Sequence, residues 1–128
     1  PDFSQAAARV LADAAARAKD RGGVAPIDLL LALLEDGSRA AEILQAAGYD
    51  ADRLLTDMPL ASDDGAADLL FAVTTEARRV ARRAGGEIEV ATEHLLAGLV
   101  TAVPQVGERL AARGLDLETL VEPASVGL

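Results

Sequence analysis

PIDLLLALLEDGSRAAEILQAAGYDADRLL (residues 26–55) and TEHLLAGLVTAVPQVGERLAARGLDLETLV (residues 92–121) are the two stretches that decide the fold of this chain. Laid over each other, they stay in register without a gap, at one constant offset that brings Gly48 onto Gly114. Five leucines repeat at the same offset, with Leu29, Leu30, Leu33, Leu44 and Leu54 falling on Leu95, Leu96, Leu99, Leu110 and Leu120. Because apolar positions and turn residues repeat together, the sequence predicts one structural unit that is present twice.

The first unit has the pattern of four helices. Its opening helix carries apolar side chains on one face, at Phe3, Ala7, Val10, Leu11, Ala14 and Ala18. The glycines of DRGG (20–23) end that helix. Pro26 and Asp28 suit the first turn of the next helix, where a fixed φ angle and a negative charge are favourable. Gly48 ends the third helix, and Asp50 is predicted to cap a short fourth one.

The second unit follows the same plan. Its long helix has an apolar face made by Leu70, Val73, Ala77, Val80, Ala81 and Ala84. Thr92 is predicted as the N-cap of the next helix, and Pro104 as the first turn of the helix after that. Gly114 is predicted to end this third helix, and Asp116 to cap the last one.

The composition agrees with helices. Hydrophobic residues make up 51% of the 128 residues but aromatic residues only 2%, so the core must consist of Ala, Leu, Val and Ile. We predict an all-α fold, in which two pseudo-twofold-related four-helix repeats pack as one globular domain. The first repeat is expected at about 3–56 and the second at about 68–122, with a Pro-, Gly-, Ser- and Asp-rich linker at about 57–67.

The charge balance limits the classes of partner. The chain has 12 Lys and Arg against 21 Asp and Glu, a formal net charge of −9. A surface of that sign repels phosphates, so neither nucleic acid nor an anionic membrane is expected as a partner, and a basic or arginine-rich polypeptide fits better. There are no cysteines, which excludes disulfides and cysteine-ligated zinc. No signal peptide and no apolar run of ~20 residues is present, so we expect a cytoplasmic protein.

His94 is the only histidine and the first candidate for chemistry. A catalytic base needs a nucleophile or an orienting carboxylate, and none of the four serines lies in a G-x-S-x-G setting. His94 falls on Asp28 in the repeat, so a polar residue that bonds locally at the helix start explains both copies. No ligand spacing indicates a metal site, and no phosphate-binding G-x-x-x-x-G-K-[ST] motif occurs. We therefore predict no catalytic residue, no metal and no cofactor.

Glu93, just before His94, has two interpretations. Its charge complements the helix dipole by about 0.3–1 kcal/mol, or it accepts a guanidinium or ammonium group from a ligand. Its counterpart in the first repeat is Ile27, so a ligand role would exist in one half only. The basic stretch EARRVARR (76–83) is predicted to be a solvated helix face, because nucleic-acid binding would require aromatic residues or further basic stripes.

The duplicated pattern resembles the N-terminal domain of the Clp (Hsp100) ATPases, the double Clp repeat, in its ClpC- and ClpA-like form. The second copy carries TEHLLAGLV (92–100) and RLAARGLDLETL (109–120), and the first carries the degraded forms PIDLLLALL (26–34) and ILQAAGYDADRL (43–54). The opening FSQAAARVL (3–11) looks like the family's F-[ST]-x-x-A-x-x-V-L start. The resemblance covers nearly the whole chain.

The resemblance implies a docking domain and not an enzyme. In that family the domain precedes AAA+ modules that unfold proteins and feed a protease, and it recruits adaptors or tagged substrates. In the branch similar to ClpC, a site near the start of each repeat binds phosphorylated arginine. There the Glu of each T-E-H stretch meets the guanidinium group, and a hydroxyl residue near the first helix start holds the phosphate.

Three residues of this chain match the family's ligand-binding positions. Glu93 and Ser4 match the carboxylate and the hydroxyl, and Phe3 matches an aromatic residue of the ligand-binding surface. Ile27 replaces the first Glu, and residues 69–73 contain no second hydroxyl. The resemblance therefore implies a ligand site at Phe3, Ser4 and Glu93 and departs from the family's pattern in the other half.

Two functional hypotheses follow. The leading one is a protein-interaction domain that docks adaptors or substrate proteins, including phosphoarginine-bearing ones, for a Clp AAA+ unfoldase and protease system. The alternative is a stand-alone regulator that sequesters modified proteins or natural-product ligands of Clp ATPases. In both cases the isolated domain is expected to be a pseudo-symmetric monomer.

Overall fold

The computed structural model describes residues 3–19, 24–37, 39–57, 66–85 and 89–114, with the side chains of 66–68 and 83–85 left out. Seven helices lie in these residues: α1 (Gln5–Arg17), α2 (Pro26–Asp36), α3 (Arg39–Ala46), α4 (Ala51–Asp57), α5 (Ala66–Gly85), α6 (Thr92–Ala102) and α7 (Pro104–Ala112). The described residues contain no strand, only one isolated parallel bridge between Phe3 and Val90. The all-α prediction is confirmed. The helix predicted to follow Asp116, and the interior of the predicted linker, lie outside the described residues.

Most helix ends follow the signals in the sequence. Pro26 and Pro104 are the first residues of α2 and α7, as predicted. The Asp50 side chain caps α4, since its Oδ1 accepts the backbone N–H of Arg53 at 2.8 Å. Gly48 has a φ angle of +93° and Gly114 one of +90°, which is the left-handed conformation that glycine adopts after a helix.

The prediction that Thr92 caps α6 is wrong. The N-cap is Ala91, and Thr92 is the first helical residue. The N–H group of Ala91 is accepted by the His94 ring at 2.9 Å, so the side chain at the third helical position fixes the helix start. The Thr92 hydroxyl instead accepts the N–H of Ala40 at 3.2 Å, which satisfies a donor in the first turn of α3. This hydrogen bond joins the two repeats.

The core is built around α2 and α6, which are buried over most of their surface. The buried residues of α2 are Pro26, Ile27, Asp28, Leu29, Leu30, Ala32, Leu33 and Leu34, and those of α6 are Thr92, His94, Leu95, Leu96, Ala97, Gly98 and Leu99. Helix α1 packs on α2, α5 packs on α6, and the two central helices contact each other. One continuous hydrophobic cluster therefore contains residues of both repeats.

The long helices α1 and α5 repeat at a smaller offset than the rest of the units. Buried residues at Val10 and Ala14 of α1, and at Ala18 just after its end, correspond in turn to buried residues of α5 at Val73, Ala77 and Ala81. Three more residues therefore lie between Ala81 and the start of α6 than between Ala18 and the start of α2, and α5 itself continues through part of that extra length to Gly85. The gapless alignment that pairs Gly48 with Gly114 holds from α2 and α6 onward.

A second polar contact between the repeats surrounds Tyr49. Its hydroxyl donates to Oδ2 of Asp57 at 2.7 Å, and the guanidinium carbon of Arg113 lies 4.8 Å from the centre of its ring. Arg109 Nη1 lies 3.7 Å from Oδ1 of Asp57. Burial raises the pKa of Tyr49 to about 12, and the hydrogen bond and charge of Asp57 add to the shift. This cluster attaches α7 of the second repeat to α4 of the first.

Candidate functional site

Phe3 and Ser4 lie beside the chain segment that leads into α6. Phe3 forms the parallel bridge with Val90, and the N–H of Ser4 donates to the carbonyl oxygen of Val90 at 2.9 Å. Val90 is three residues before Glu93, so the starts of α1 and α6 are tied together. We call the region of Phe3, Ser4, Val90 and Glu93 the α1–α6 junction.

Ser4 is the N-cap of α1. Its backbone is extended, with φ −64° and ψ 165°, and its Oγ accepts the N–H of Ala7 at 3.1 Å. This arrangement satisfies one of the free donors at the helix start. The hydroxyl keeps its own proton, so it can donate to an acceptor on a ligand.

Arg78 of α5 covers the ring of Phe3. Its guanidinium carbon lies 4.8 Å from the ring centre, within the range of a cation–π contact. Arg78 is half-buried, whereas Arg79 and Arg82 of the same basic stretch are exposed. The prediction of a solvated helix face is therefore wrong for Arg78, because the Phe3 ring offers its face on that side. It is correct for Arg79 and Arg82, while the side chain of Arg83 lies outside the described residues.

The starts of α2 and α6 are closed in the same way by different side chains. Asp28 Oδ2 accepts the N–H of Ala25 at 2.8 Å, and His94 Nδ1 accepts the N–H of Ala91 at 2.9 Å. Each acceptor is the third residue of its helix and reaches back to the N-cap residue, as in one half of a capping box. The prediction that both residues bond locally at the helix start is confirmed.

Glu93 and its counterpart differ in their surroundings as well as in type. Both are the second residue of their helix, but Ile27 is 4% exposed and belongs to the hydrophobic core, whereas Glu93 is half-buried. A carboxylate at the surface can accept a cation from a ligand, and an aliphatic side chain in the core cannot. The two halves of the molecule are therefore chemically unequal at this position.

The His94 side chain has a structural role, because it accepts a backbone hydrogen bond at the start of α6. Burial lowers the pKa of its imidazole below the ordinary value of 6.5, and the charge of Glu93 opposes part of that shift. Its Nδ1 already accepts a backbone N–H, so that nitrogen is not free to take a proton from a substrate. The ring acts as a helix cap.

The described residues contain no group of three or more His, Cys, Asp or Glu side chains that could hold a metal ion. Across the same part of the chain, each helix is too short or too polar to cross a membrane.

Sequence reasoning missed Arg78 as part of this region. Residues 3 and 78 are far apart in the chain, and the charge pattern around Arg78 is the same as that around its exposed neighbours. The Tyr49 and Asp57 contact was missed for a similar reason, because Arg109 and Arg113 approach it from the other repeat. The one available signal is that Phe3 and Tyr49 are two of only three aromatic residues, and both attract a guanidinium group.

Comparison with known proteins gives one family. Residues 2–110 match the family model of the Clp repeat (R) N-terminal domain, which covers most of the chain. A search of curated proteins finds no significant match.

Proposed function

This chain belongs to the Clp repeat N-terminal domain family, and from that premise we propose that it docks adaptor or substrate proteins for a Clp AAA+ unfoldase and protease system. Domains of this family are small, all-helical and generally non-catalytic, and they are associated with Clp ATPase and protease systems. The family membership indicates an interaction domain, and the proposal adds what the domain binds.

The observation that carries the proposal is the α1–α6 junction. The three residues that match the family's ligand-binding positions, Phe3, Ser4 and Glu93, belong to two helix starts that are tied together through Val90. Phe3, Ser4 and Glu93 are all partly exposed, so one aromatic ring, one hydroxyl and one carboxylate can meet a partner at the surface. Arg78 extends this surface across α5 by covering the Phe3 ring.

The chemistry of these groups favours a ligand with a cationic and an anionic part. The Glu93 carboxylate can accept a guanidinium group, and the Ser4 hydroxyl can donate to a phosphate next to the positive end of α1. The ligand we propose is therefore a phosphorylated arginine on a partner protein. The net charge of −9 disfavours a partner that carries only negative charges.

We further propose that the domain binds one such ligand and not two. The position equivalent to Glu93 is occupied by Ile27, which is buried in the core. A second guanidinium group would find no carboxylate there, and desolvating a cation without a partner is unfavourable.

A titration with a phosphoarginine peptide, followed by residue-resolved NMR, tests this site. We expect amide shifts at Ser4 and around Glu93, and none around Ile27. Glu93→Gln removes the charged acceptor and should weaken binding roughly ten- to hundredfold, the cost of one hydrogen bond to a charged group.

Asp52→Asn is the matched control for this titration, because Asp52 is also the second residue of a helix and is exposed on α4. It should leave the affinity unchanged. Wild-type affinity in Glu93→Gln, or no shift at Ser4 and Glu93 at high peptide concentration, would exclude the site. The docking function is tested separately by a pull-down, and recovery of no Clp subunit, adaptor or client would count against it.

The alternative is a stand-alone regulator that sequesters ligands of Clp ATPases. It predicts the same binding site, so binding data do not separate the two. The sequence of the complete gene does, because an AAA+ module in the same reading frame would remove the alternative.

A further inference from the structure

The two helix caps of the core, on α2 and α6, use acceptors with different proton chemistry. The imidazole Nδ1 of His94 can accept the Ala91 N–H only while the ring is neutral, since both ring nitrogens of a protonated histidine are donors. The carboxylate of Asp28 accepts the Ala25 N–H in its charged form. Because an imidazole has to be neutral to accept this hydrogen bond, protonation of His94 removes the acceptor of the α6 cap.

Protonation of His94 is incompatible with the observed geometry. The distance from Ala91 N to Nδ1 is 2.9 Å, and a proton on Nδ1 would place two donors face to face. The residue is only 6% exposed, so the charged ring would also lack water around it. The ring must therefore move, and the N–H of Ala91 loses its partner.

The charges around His94 set how readily this occurs. Among the described residues of α6 and of the helices packed on it, Glu93 is the charged group that acts on the imidazole, and it favours the protonated form. Burial favours the neutral form and is the larger effect. The hydrogen bond from Ala91 to His94 therefore forms at neutral pH, where the imidazole is neutral, and breaks when acid protonates the ring.

The residues next to His94 connect the start of α6 to the other repeat. Thr92, two residues before His94, accepts the N–H of Ala40 in α3 at 3.2 Å. Glu93 lies between them. A movement of the helix start therefore reaches both the inter-repeat hydrogen bond and the α1–α6 junction.

We propose that His94 makes the start of α6 acid-responsive, so that its protonation opens the Ala91 cap and loosens the second repeat while the Asp28 cap of the first repeat stays closed. Insofar as the proposed ligand site exists, the same change lowers its affinity by displacing Glu93. The first part concerns the free protein and does not depend on any ligand.

The test is an NMR titration of the ligand-free protein from about pH 7.5 to about pH 5. We expect the amide signals of Ala91 and Ala40 to follow the same midpoint as the imidazole signals of His94. The amide of Ala25 should not follow that midpoint. The N–H groups of His94 and Leu95 bond to the Ala91 carbonyl, so their protection from hydrogen exchange, taken relative to the intrinsic rate at each pH, should fall as the ring gains its proton.

Two substitutions make the test specific. His94→Asp copies the first-repeat cap into the second and should abolish the response of Ala91 and Ala40 while the fold is retained. Asp28→His should transfer a response to Ala25. A wild-type Ala91 signal that ignores the His94 midpoint, or a His94→Asp protein with the unchanged response, would overturn the proposal. Neither result would bear on whether phosphoarginine binds at neutral pH.

Discussion

Gly98 lies where α6 comes closest to α5. A Cβ atom added there would lie 2.5 Å from the carbonyl oxygen of Val73 and 3.0 Å from the backbone nitrogen of Ala77. Both obstacles are helix backbone, so the helices themselves would have to separate. We predict that Gly98→Ala lowers the free energy of unfolding by about 1–3 kcal/mol through overpacking, although alanine is the better helix former. Chemical denaturation measures this change.

Gly107 is the matched control for this substitution, because it is also a glycine inside a helix. Its added Cβ would lie 2.8 Å from Cγ1 of Val100, which is a side-chain methyl group of a half-buried residue and not helix backbone. The gain in helix propensity, about 1 kcal/mol, should then offset the contact or exceed it. Equal losses in Gly98→Ala and Gly107→Ala would show that the close backbone approach does not determine stability.

His94 and Asp28 show what the repeat alone can predict about single residues. Their equivalence in the sequence indicates a local hydrogen bond at each helix start, and that prediction is confirmed. The same comparison could not reveal that the hydroxyl oxygen of Thr92 accepts the N–H of Ala40 in the other repeat. A threonine hydroxyl can accept a hydrogen bond from the start of its own helix or from that of a neighbouring helix, and tertiary packing decides which of the two bonds forms.

At the scale of the element, the helices were predictable because their ends carry strong local signals. Pro26 and Pro104, and the glycines at 48 and 114, act on the backbone of their immediate neighbours. The register of α5 against α1 was not predictable in this way. Small apolar residues occur at several positions of both helices, and only the packing on α2 and α6 selects the pairing of Val10 with Val73.

The Tyr49 cluster, which joins α4 to α7, makes a prediction at this scale. The pKa of Tyr49 is raised to about 12, so the folded protein favours the neutral phenol more than the unfolded chain does, whose tyrosine titrates at about 10. The stabilisation is fully present below about pH 10 and is lost as the pH rises through about 12.

Ultraviolet absorbance measures the ionisation of Tyr49 directly, since Tyr49 is the only tyrosine and the chain has no tryptophan. We expect the tyrosinate absorbance of the folded protein to appear with a midpoint near 12, and that of the denatured protein near 10. In Asp57→Asn the folded midpoint should fall toward the ordinary value. A folded midpoint near 10 would mean that the phenol is neither shielded from water nor held by Asp57.

At the scale of the whole molecule, the α1–α6 junction depends on contacts between distant parts of the chain. Phe3 meets Val90 and Arg78, and no local pattern in the sequence links residue 3 to either of them. The residues of the candidate site could be named from a family resemblance, but their arrangement required the packed fold. The sequence shows that position 27 has no carboxylate, but the burial of Ile27 in the core could be seen only in the structure.

The shared core predicts that the two repeats unfold together. Leu33 of α2 and Leu99 of α6 occupy equivalent positions and are both fully buried, in one hydrophobic cluster. Leu33→Ala should lower the free energy of unfolding by about 2–5 kcal/mol. If the repeats form one cooperative unit, the exchange protection of amides in α6 falls by the same free energy as that in α2.

Leu99→Ala is the mirror experiment, and it should lower protection in α2 as much as in α6. Leu55→Ala is the control, because Leu55 is 46% exposed and its truncation should change the protection of either helix little. If Leu33→Ala weakened protection in the first repeat and left α6 unchanged, each repeat would be a separate folding unit. Contacts such as that of Thr92 with Ala40 would then join two independently stable halves.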